Sequence, residues 1–223
     1  MKTPSRIRPS AIQIARLALL AFASLAVAST AKARAQAKLF DVHGAILAGG
    51  MTGRGSSSAP PDLFHQTEGA AFAAEVGARL LVVDLSLRFQ QMVNSGGSGG
   101  TLLSAMFGPS LEIPVKRGGR DAQGKQKPPE VVIRPSMAAG LVFGTLVPVK
   151  APLTDAQLAG KGLLTMARFG VERMFGPILG VGAQIEGGYH YLLGASGVLN
   201  GAKDHSSGWQ LGGFATLAFH LGL

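Results

Sequence analysis

Hydrophobic and polar residues alternate along the last fifteen positions of the chain. Odd-numbered positions from Trp209 to Leu223 are apolar or glycine, whereas Gln210, Thr216 and His220 lie on the other face. A period of two is typical of a β-strand, whose successive side chains point to opposite sides. One continuous apolar face predicts the lipid-facing, closing strand of a transmembrane β-barrel.

The same alternation, bounded by Gly, Pro and Ser clusters, predicts eight strands in all. They are 39–50, 68–78, 81–93, 101–113, 131–145, 162–173, 177–192 and 208–222. The predicted fold is all-β: an up-and-down, antiparallel, eight-stranded transmembrane barrel with both termini on the periplasmic side, short inner turns and longer outer loops. The polar connection 114–130 is long for an inner turn, so either it is a truly long periplasmic turn, which we prefer, or a strand is misplaced.

The amino-terminal segment has the pattern of a secretory signal peptide. Basic residues precede an apolar run from Leu17 to Ala28, and small-residue cleavage patterns follow. We therefore expect residues 1–37 to be a signal peptide, cut near Ala35 or Ala37, and residues 38–223 to form the barrel.

Separating the signal peptide from the barrel changes the net charge that belongs to the mature protein. Of the 21 basic residues, six lie in residues 1–37, which leaves 15 against 12 acidic residues and makes nucleic acid an unlikely partner. The chain has no cysteine, so neither disulfides nor thiol chemistry are available. Five basic residues in 114–130 suggest an anionic periplasmic partner, although a solvated charged turn is the simpler interpretation.

Charged residues on the strands share one parity, opposite to the apolar face. Because an ionised side chain facing hydrocarbon is costly, these groups are expected to point into the lumen and pair there, filling it as a packed polar core without a wide pore. Strand 101–113 accordingly places Phe107, Leu111 and Ile113 outward. The predicted polar lumen network comprises Asp41, His43, Glu75, Arg79, Asp84, Arg88, Glu112, Arg134, Arg168, Glu172, Glu186 and His190.

Outward aromatic residues are expected to form two girdles at the membrane interfaces. The outer girdle comprises Phe72, Phe89, Phe143, Tyr189, Tyr191 and Trp209. The inner girdle comprises Phe40, Phe175 and Phe219.

Motifs for catalysis and cofactor binding are weak. There is no phosphate-binding glycine loop, metal-ligand cluster or nucleophile elbow, so we predict no cofactor, no metal and no catalytic residue. The Asp204-His205-Ser206-Ser207 stretch resembles the His–Ser pair of barrel lipid A deacylases, but no acid follows it in the final strand to orient the His. A polar loop tip explains this motif better.

The chain resembles the small outer-membrane β-barrel family of Gram-negative bacteria, of the OmpA/OmpX type or OmpW-like. The export signal, eight alternating strands, glycine-rich composition and terminal Trp209–Leu223 strand carry the resemblance, although Leu223 replaces the commoner terminal aromatic residue. It implies a porin-like, non-enzymatic outer-membrane protein with a structural or cell-surface role.

The expected partners are outer-membrane lipid, lipopolysaccharide and, through the last strand, the barrel-assembly machinery, with the protein itself a monomer. The alternatives are a narrow channel or lateral-opening barrel for small apolar ligands, which would need an apolar lumen, and a lipid-modifying barrel enzyme. A soluble lipocalin-like barrel is a further possibility.

Overall fold

A computed structural model describes residues 39–57, 67–94, 99–116, 118–120, 122–124, 127–147, 158–193 and 205–222. The predicted signal peptide lies outside these residues. The described strands are β1 (Phe40–Ser57), β2 (Thr67–Leu80), β3 (Val83–Asn94), β4 (Gly99–Pro109), β5 (Ile113–Lys116), β6 (Val131–Val147), β7 (Leu158–Phe175), β8 (Leu179–Leu193) and β9 (His205–Gly222). Within the described residues, no helix is long and apolar enough to span a membrane.

The strands close into an antiparallel barrel. Their order is β4-β3-β2-β1-β9-β8-β7-β6-β5, and a further pairing of β4 with β6 joins the two edges. Because β4 and β5 pair with successive parts of β6, they form one wall position, and the barrel has eight. The predicted eight-stranded, up-and-down barrel is therefore confirmed.

The beginning of β1 and the end of β9 lie at the same end of the barrel, and we call it the terminal end. Asp41 pairs with Gly222 there, next to the turns at Leu81–Val82 and Gly176–Ile178. The strand ends that flank 58–66, 95–98, 148–157 and 194–204 lie at the opposite, loop end. Several strands extend further toward the loop end than predicted; β9 begins at His205, within the polar stretch interpreted as a loop.

The fourth predicted strand is wrong in one detail. It breaks after Pro109, and Leu111, predicted to face outward, is buried. Proline has no backbone N–H for a strand ladder, yet the pairing with β6 keeps its register beyond Pro109: Ser110 bridges Ser136, and the Leu111 N–H donates to the Pro135 carbonyl at 3.0 Å. β5 continues to Lys116, three residues into the predicted connection 114–130, and the described residues of 118–130 follow it at the terminal end.

Glycines facing the lumen allow neighbouring strands to approach closely. A Cβ atom on Gly140 would lie 1.9 Å from the Ala105 carbonyl oxygen of β4. No side chain fits there without backbone displacement, so this position requires glycine.

Candidate functional site, the barrel lumen

Inward side chains near the terminal end form a closed ring of alternating charge, which we call the charge ring. It consists of Asp41, Arg79, Glu112, Arg134, Glu172 and His220. These residues come from β1, β2, the break after β4, β6, β7 and β9. The ring therefore ties together strands all around the circumference.

Glu112 is the acid that the irregular fourth strand supplies to this ring. Its Oε2 accepts hydrogen bonds from Arg79 Nη2 at 2.7 Å and from Arg134 Nη1 at 2.8 Å. Arg134 Nε also donates to Glu172 Oε2 at 2.9 Å. Charge-assisted bonds of this length are strong, and each carboxylate is held by groups on other strands.

His220 closes the ring between the two remaining acids. Its Nε2 lies 3.2 Å from Glu172 Oε2, and its Nδ1 lies 3.3 Å from Asp41 Oδ2. Arg79 Nη2 lies 3.4 Å from the same Asp41 oxygen. Three carboxylates thus face two guanidinium groups and one imidazole, and a protonated His220 would balance the charge.

Two ion pairs cross the middle of the lumen, and we call them the crossbars. Arg88 on β3 makes a bidentate pair with Glu186 on β8, with Nη1 and Nη2 at 2.9 and 2.7 Å from its oxygens. Arg168 on β7 donates to Glu75 on β2 at 2.8 Å. Each pair joins strands on opposite sides of the eight-position wall, so both side-chain pairs span the barrel.

Neighbouring contacts link the crossbars into one group. Arg88 Nη1 lies 3.6 Å from Glu75 Oε2, and Gln184 donates to Glu186 at 3.0 Å. Arg88 Nε also donates to the Gln90 amide oxygen at 3.2 Å. Two guanidinium groups and two carboxylates therefore neutralise each other, as a buried cluster requires.

Three members of the predicted network lie outside the charge ring and the crossbars. His43 and Asp84 pair with each other at 3.5 Å beside the charge ring. His190 does not join the network: its Nδ1 is buried without a hydrogen-bond partner among the described residues. Its neighbour along β8, Glu186, bonds to Arg88 and Gln184, so the described contacts give no His190–Glu186 acid–base pair.

The prediction of a lumen that is polar throughout is wrong for the loop half of the barrel. Two clusters of buried apolar side chains fill that half. One comprises Leu102, Met106, Val142, Leu164, Met166 and Leu192. The other comprises Leu47, Met51, Ala71, Ala73 and Phe214.

Methionine and phenylalanine side chains mark the boundary between the two halves. The Arg88 guanidinium lies over the Phe214 ring, with Cζ at 5.7 Å from its centroid. Arg168 Nε lies 3.0 Å from Met166 Sδ, and Gln90 Nε2 lies 2.9 Å from Met51 Sδ. Polarizable sulfur atoms and an aromatic ring therefore contact the polar groups at the edge of the crossbars.

Sequence reasoning missed the apolar half although its residues have the same parity as the charges. Leu102, Met106, Leu164 and Met166 alternate with outward residues exactly as Arg168 does. Gln90 and Gln184, which also join the crossbars, share the inward parity of Arg88 and Glu186, and this parity is their signal in the sequence.

The predicted girdle residues face outward, and their heights differ in part from expectation. Phe40, Phe175 and Phe219 lie at or near strand ends on the terminal side, although Phe40 is half-buried. The side chains of Phe143, Tyr189, Tyr191 and Trp209 are exposed toward the loop end. Phe72 and Phe89 lie nearer the middle of β2 and β3 than predicted, since each is five residues from the loop-end boundary of its strand, Thr67 and Asn94.

Residues for metal binding do not assemble in the described part of the chain. No group of three or more His, Cys, Asp or Glu side chains there is placed to hold a metal ion. The lumen carboxylates contact arginine, histidine and glutamine side chains instead.

Comparison with known proteins gives structural likenesses alone. No family model and no curated protein matches the chain. The Neisserial surface protein A is similar at 14% identity and a TM-score of 0.40, over 82% of this chain and 97% of that one. Ail, the attachment invasion locus protein of Yersinia pestis, is similar at 12% identity and a TM-score of 0.31, over 78% of this chain and 98% of that one. At these scores the likenesses carry no argument about function.

Proposed function

We propose that this protein is an integral outer-membrane β-barrel of a Gram-negative bacterium, with a side-chain-filled lumen and a non-enzymatic, structural or cell-surface role. The observation that carries the proposal is the outer wall. Large apolar side chains such as Ile46, Leu87, Phe107 and Ile185 are half or more exposed there. A soluble protein rarely exposes such a continuous apolar surface, whereas lipid covers it.

The height of this apolar wall matches a bilayer. On β7 the outward residues between Lys161 and Arg173 are uncharged. With a rise of about 3.3 Å per residue and a tilt of about 40°, residues 162–172 span about 28 Å along the membrane normal, near the roughly 25 Å apolar band of outer-membrane barrels. Charged side chains therefore begin where the hydrocarbon would end.

The filled lumen supports a role other than bulk transport. Both crossbars span it, the charge ring lies toward the terminal end, and apolar side chains pack toward the loop end. A barrel of eight strands has room for little more than its own side chains. We expect the surface to be the functional part, with outer-membrane lipid, lipopolysaccharide and, through β9, the barrel-assembly machinery as partners of a monomer.

Refolding the chain into detergent and into phospholipid vesicles tests this proposal. We expect a folded form that migrates differently from the heated form in electrophoresis, protease protection of the strands, and no large conductance in planar bilayers. Recovery as a folded protein without detergent would contradict the membrane assignment, and a stable open channel would contradict the filled lumen.

The apolar half of the lumen favours a second candidate, a lateral-opening barrel that binds a small apolar ligand. The buried clusters near the loop end offer apolar contacts, provided that packed side chains such as Leu164 and Met166 part to admit the ligand. Binding of a fluorescent naphthylamine probe, weakened by Leu164→Gln but unaffected by Leu163→Gln on the outer wall, would support it. Equal responses of the two variants would contradict it.

A further inference from the structure

The outer wall at the terminal end carries a basic patch between β5 and β7. It consists of Lys116, Arg120, Lys127 and Arg173, all with exposed side chains. Lys116 and Arg173 both pair in register with Val131, one from each side of β6. The two cations therefore lie at the same height on neighbouring wall positions.

Backbone hydrogen bonds hold the described residues of the connection before β6. The Glu130 N–H donates to the Lys116 carbonyl at 2.8 Å, and the Met174 N–H donates to the Glu130 carbonyl at 2.8 Å. The Lys127 N–H donates to the Gly119 carbonyl at 2.9 Å. The first two bonds hold Glu130 between β5 and β7, and the third joins two parts of the connection that carry Arg120 and Lys127.

One acidic side chain among these described residues opposes the four cations. Glu130 pairs with Lys116, and the hydrogen bond from Lys116, followed by the charges of Lys116, Arg173 and Lys127, holds the pKa of the Glu130 carboxyl below its ordinary range. In the sequence, Arg117, Lys125 and Asp121 add two further cations and one acid. A positive excess remains for an external anion.

Apolar wall residues lie directly beside the cations. Val115, Val171, Phe175 and Val181 are all at least 40% exposed. The Arg173 guanidinium lies 5.5 Å from the Phe175 ring centroid, a cation–aromatic arrangement that suits the boundary between hydrocarbon and headgroups. A lipid with an anionic headgroup and acyl chains can contact both the cations and the apolar side chains. A free polyanion would contact the cations alone.

We propose that Lys116, Arg120, Lys127 and Arg173 form a binding site for the headgroup of an anionic phospholipid in the leaflet at the terminal end, with its acyl chains along Val171 on the membrane side of Arg173. This inference rests on the membrane insertion proposed above. Exposed Lys and Arg side chains at a bilayer surface attract anionic lipid, and the attraction weakens as salt screens it.

Spin-labelled lipids test the site in the full chain refolded into phosphatidylcholine vesicles that contain phosphatidylglycerol. We expect wild-type protein to associate with spin-labelled phosphatidylglycerol on the order of fivefold better than with spin-labelled phosphatidylcholine at low salt. The combined variant Lys116→Gln, Lys127→Gln, Arg173→Gln should lose most of this preference. The matched control Arg54→Gln, Lys161→Gln removes outward cations at the loop end and should retain more of it.

The outcomes separate the two proposals. A wild-type chain that enters neither kind of vesicle overturns the proposed function and this inference with it. A chain that inserts without preferring phosphatidylglycerol, or loses the preference equally in both variants, overturns the inference alone. Should the combined variant fail to fold, Arg173→Gln alone replaces it, and an unchanged preference then counts against the site. If the wild-type protein shows no lipid preference but sediments with isolated peptidoglycan, and the same substitutions abolish this sedimentation, the patch binds the cell wall instead.

Discussion

The two halves of the lumen solve the same packing problem with different chemistry. In the terminal half, carboxylates and guanidinium groups meet in the charge ring and the crossbars, with partners on separate strands. In the loop half, side chains such as Leu164 and Val142 fill the space without directed bonds. Ion pairs require defined partners and penalise the loss of one, whereas apolar packing tolerates rearrangement as long as volume is conserved. The terminal half is therefore expected to fix the strand arrangement, and the loop half to supply adaptable packing.

The largest expected effect comes from breaking a crossbar. Arg88→Ala leaves the buried Glu186 without its bidentate partner and should cost about 4 kcal/mol of unfolding free energy. Urea unfolding in detergent, followed by the fluorescence of the single tryptophan, measures this change. Arg54→Ala, on the outer wall, is the control and should change the midpoint little. An equally small effect of Arg88→Ala would show that the crossbar does not stabilise the barrel.

Replacing the whole crossbar sharpens the same point. The double variant Arg88→Met, Glu186→Leu extends the apolar half into the centre and should recover most of the stability lost by Arg88→Ala, because no unpaired charge remains. The same unfolding experiment measures the recovery. A double variant less stable than Arg88→Ala would mean that the pair has a directional role that packing cannot replace.

A truncation in the apolar half should cost somewhat less. Leu164→Ala leaves a cavity among Met106, Val142 and Leu192 and is expected to lose about 3 kcal/mol. The adjacent Leu163 is 59% exposed on the outer wall, so Leu163→Ala provides a control of identical chemistry. Equal losses from both variants would indicate that Leu164 packs no more tightly in the lumen than Leu163 packs against lipid.

Substitution of a lumen glycine tests the close strand approach on which both halves depend. Gly140→Ala places a methyl group against the Ala105 carbonyl and should cost about 1–3 kcal/mol. Gly213→Ala, where a Cβ would meet nothing within 4 Å, should be nearly neutral. Comparable melting temperatures of the two variants would contradict the steric explanation.

The smallest expected effect distinguishes the two buried histidines. His190→Leu removes a buried Nδ1 that has no partner among the described residues and should leave stability unchanged or raise it by about 1 kcal/mol. His220→Leu removes the link between Asp41 and Glu172 and should lower stability. A loss with His190→Leu similar to that with His220→Leu would show that His190 is bound in a network of its own.

Much of this architecture follows from periodicity in the sequence. A side-chain period of two separates Leu87 from Arg88 and Leu163 from Leu164, so strand number, strand facing and the outward apolar surface are readable without coordinates. The interruption after Pro109 is less readable from the sequence, because Ser110 still pairs with Ser136 and Ile113 with Ile133 in the same register, and the register shifts only between Pro114 and Lys116.

The sequence alone thus determined which residues face the lumen, whereas the tertiary structure decided which of them meet. Arg88 and Glu186 are 98 residues apart and pair because the barrel closes and places β3 opposite β8. Register contributes to the division of the lumen as well, since it decides which side chains of neighbouring strands share a height and sets Arg168 beside Glu186 but Leu164 beside His190. Alternation is a property of each strand, but register and closure belong to the whole barrel.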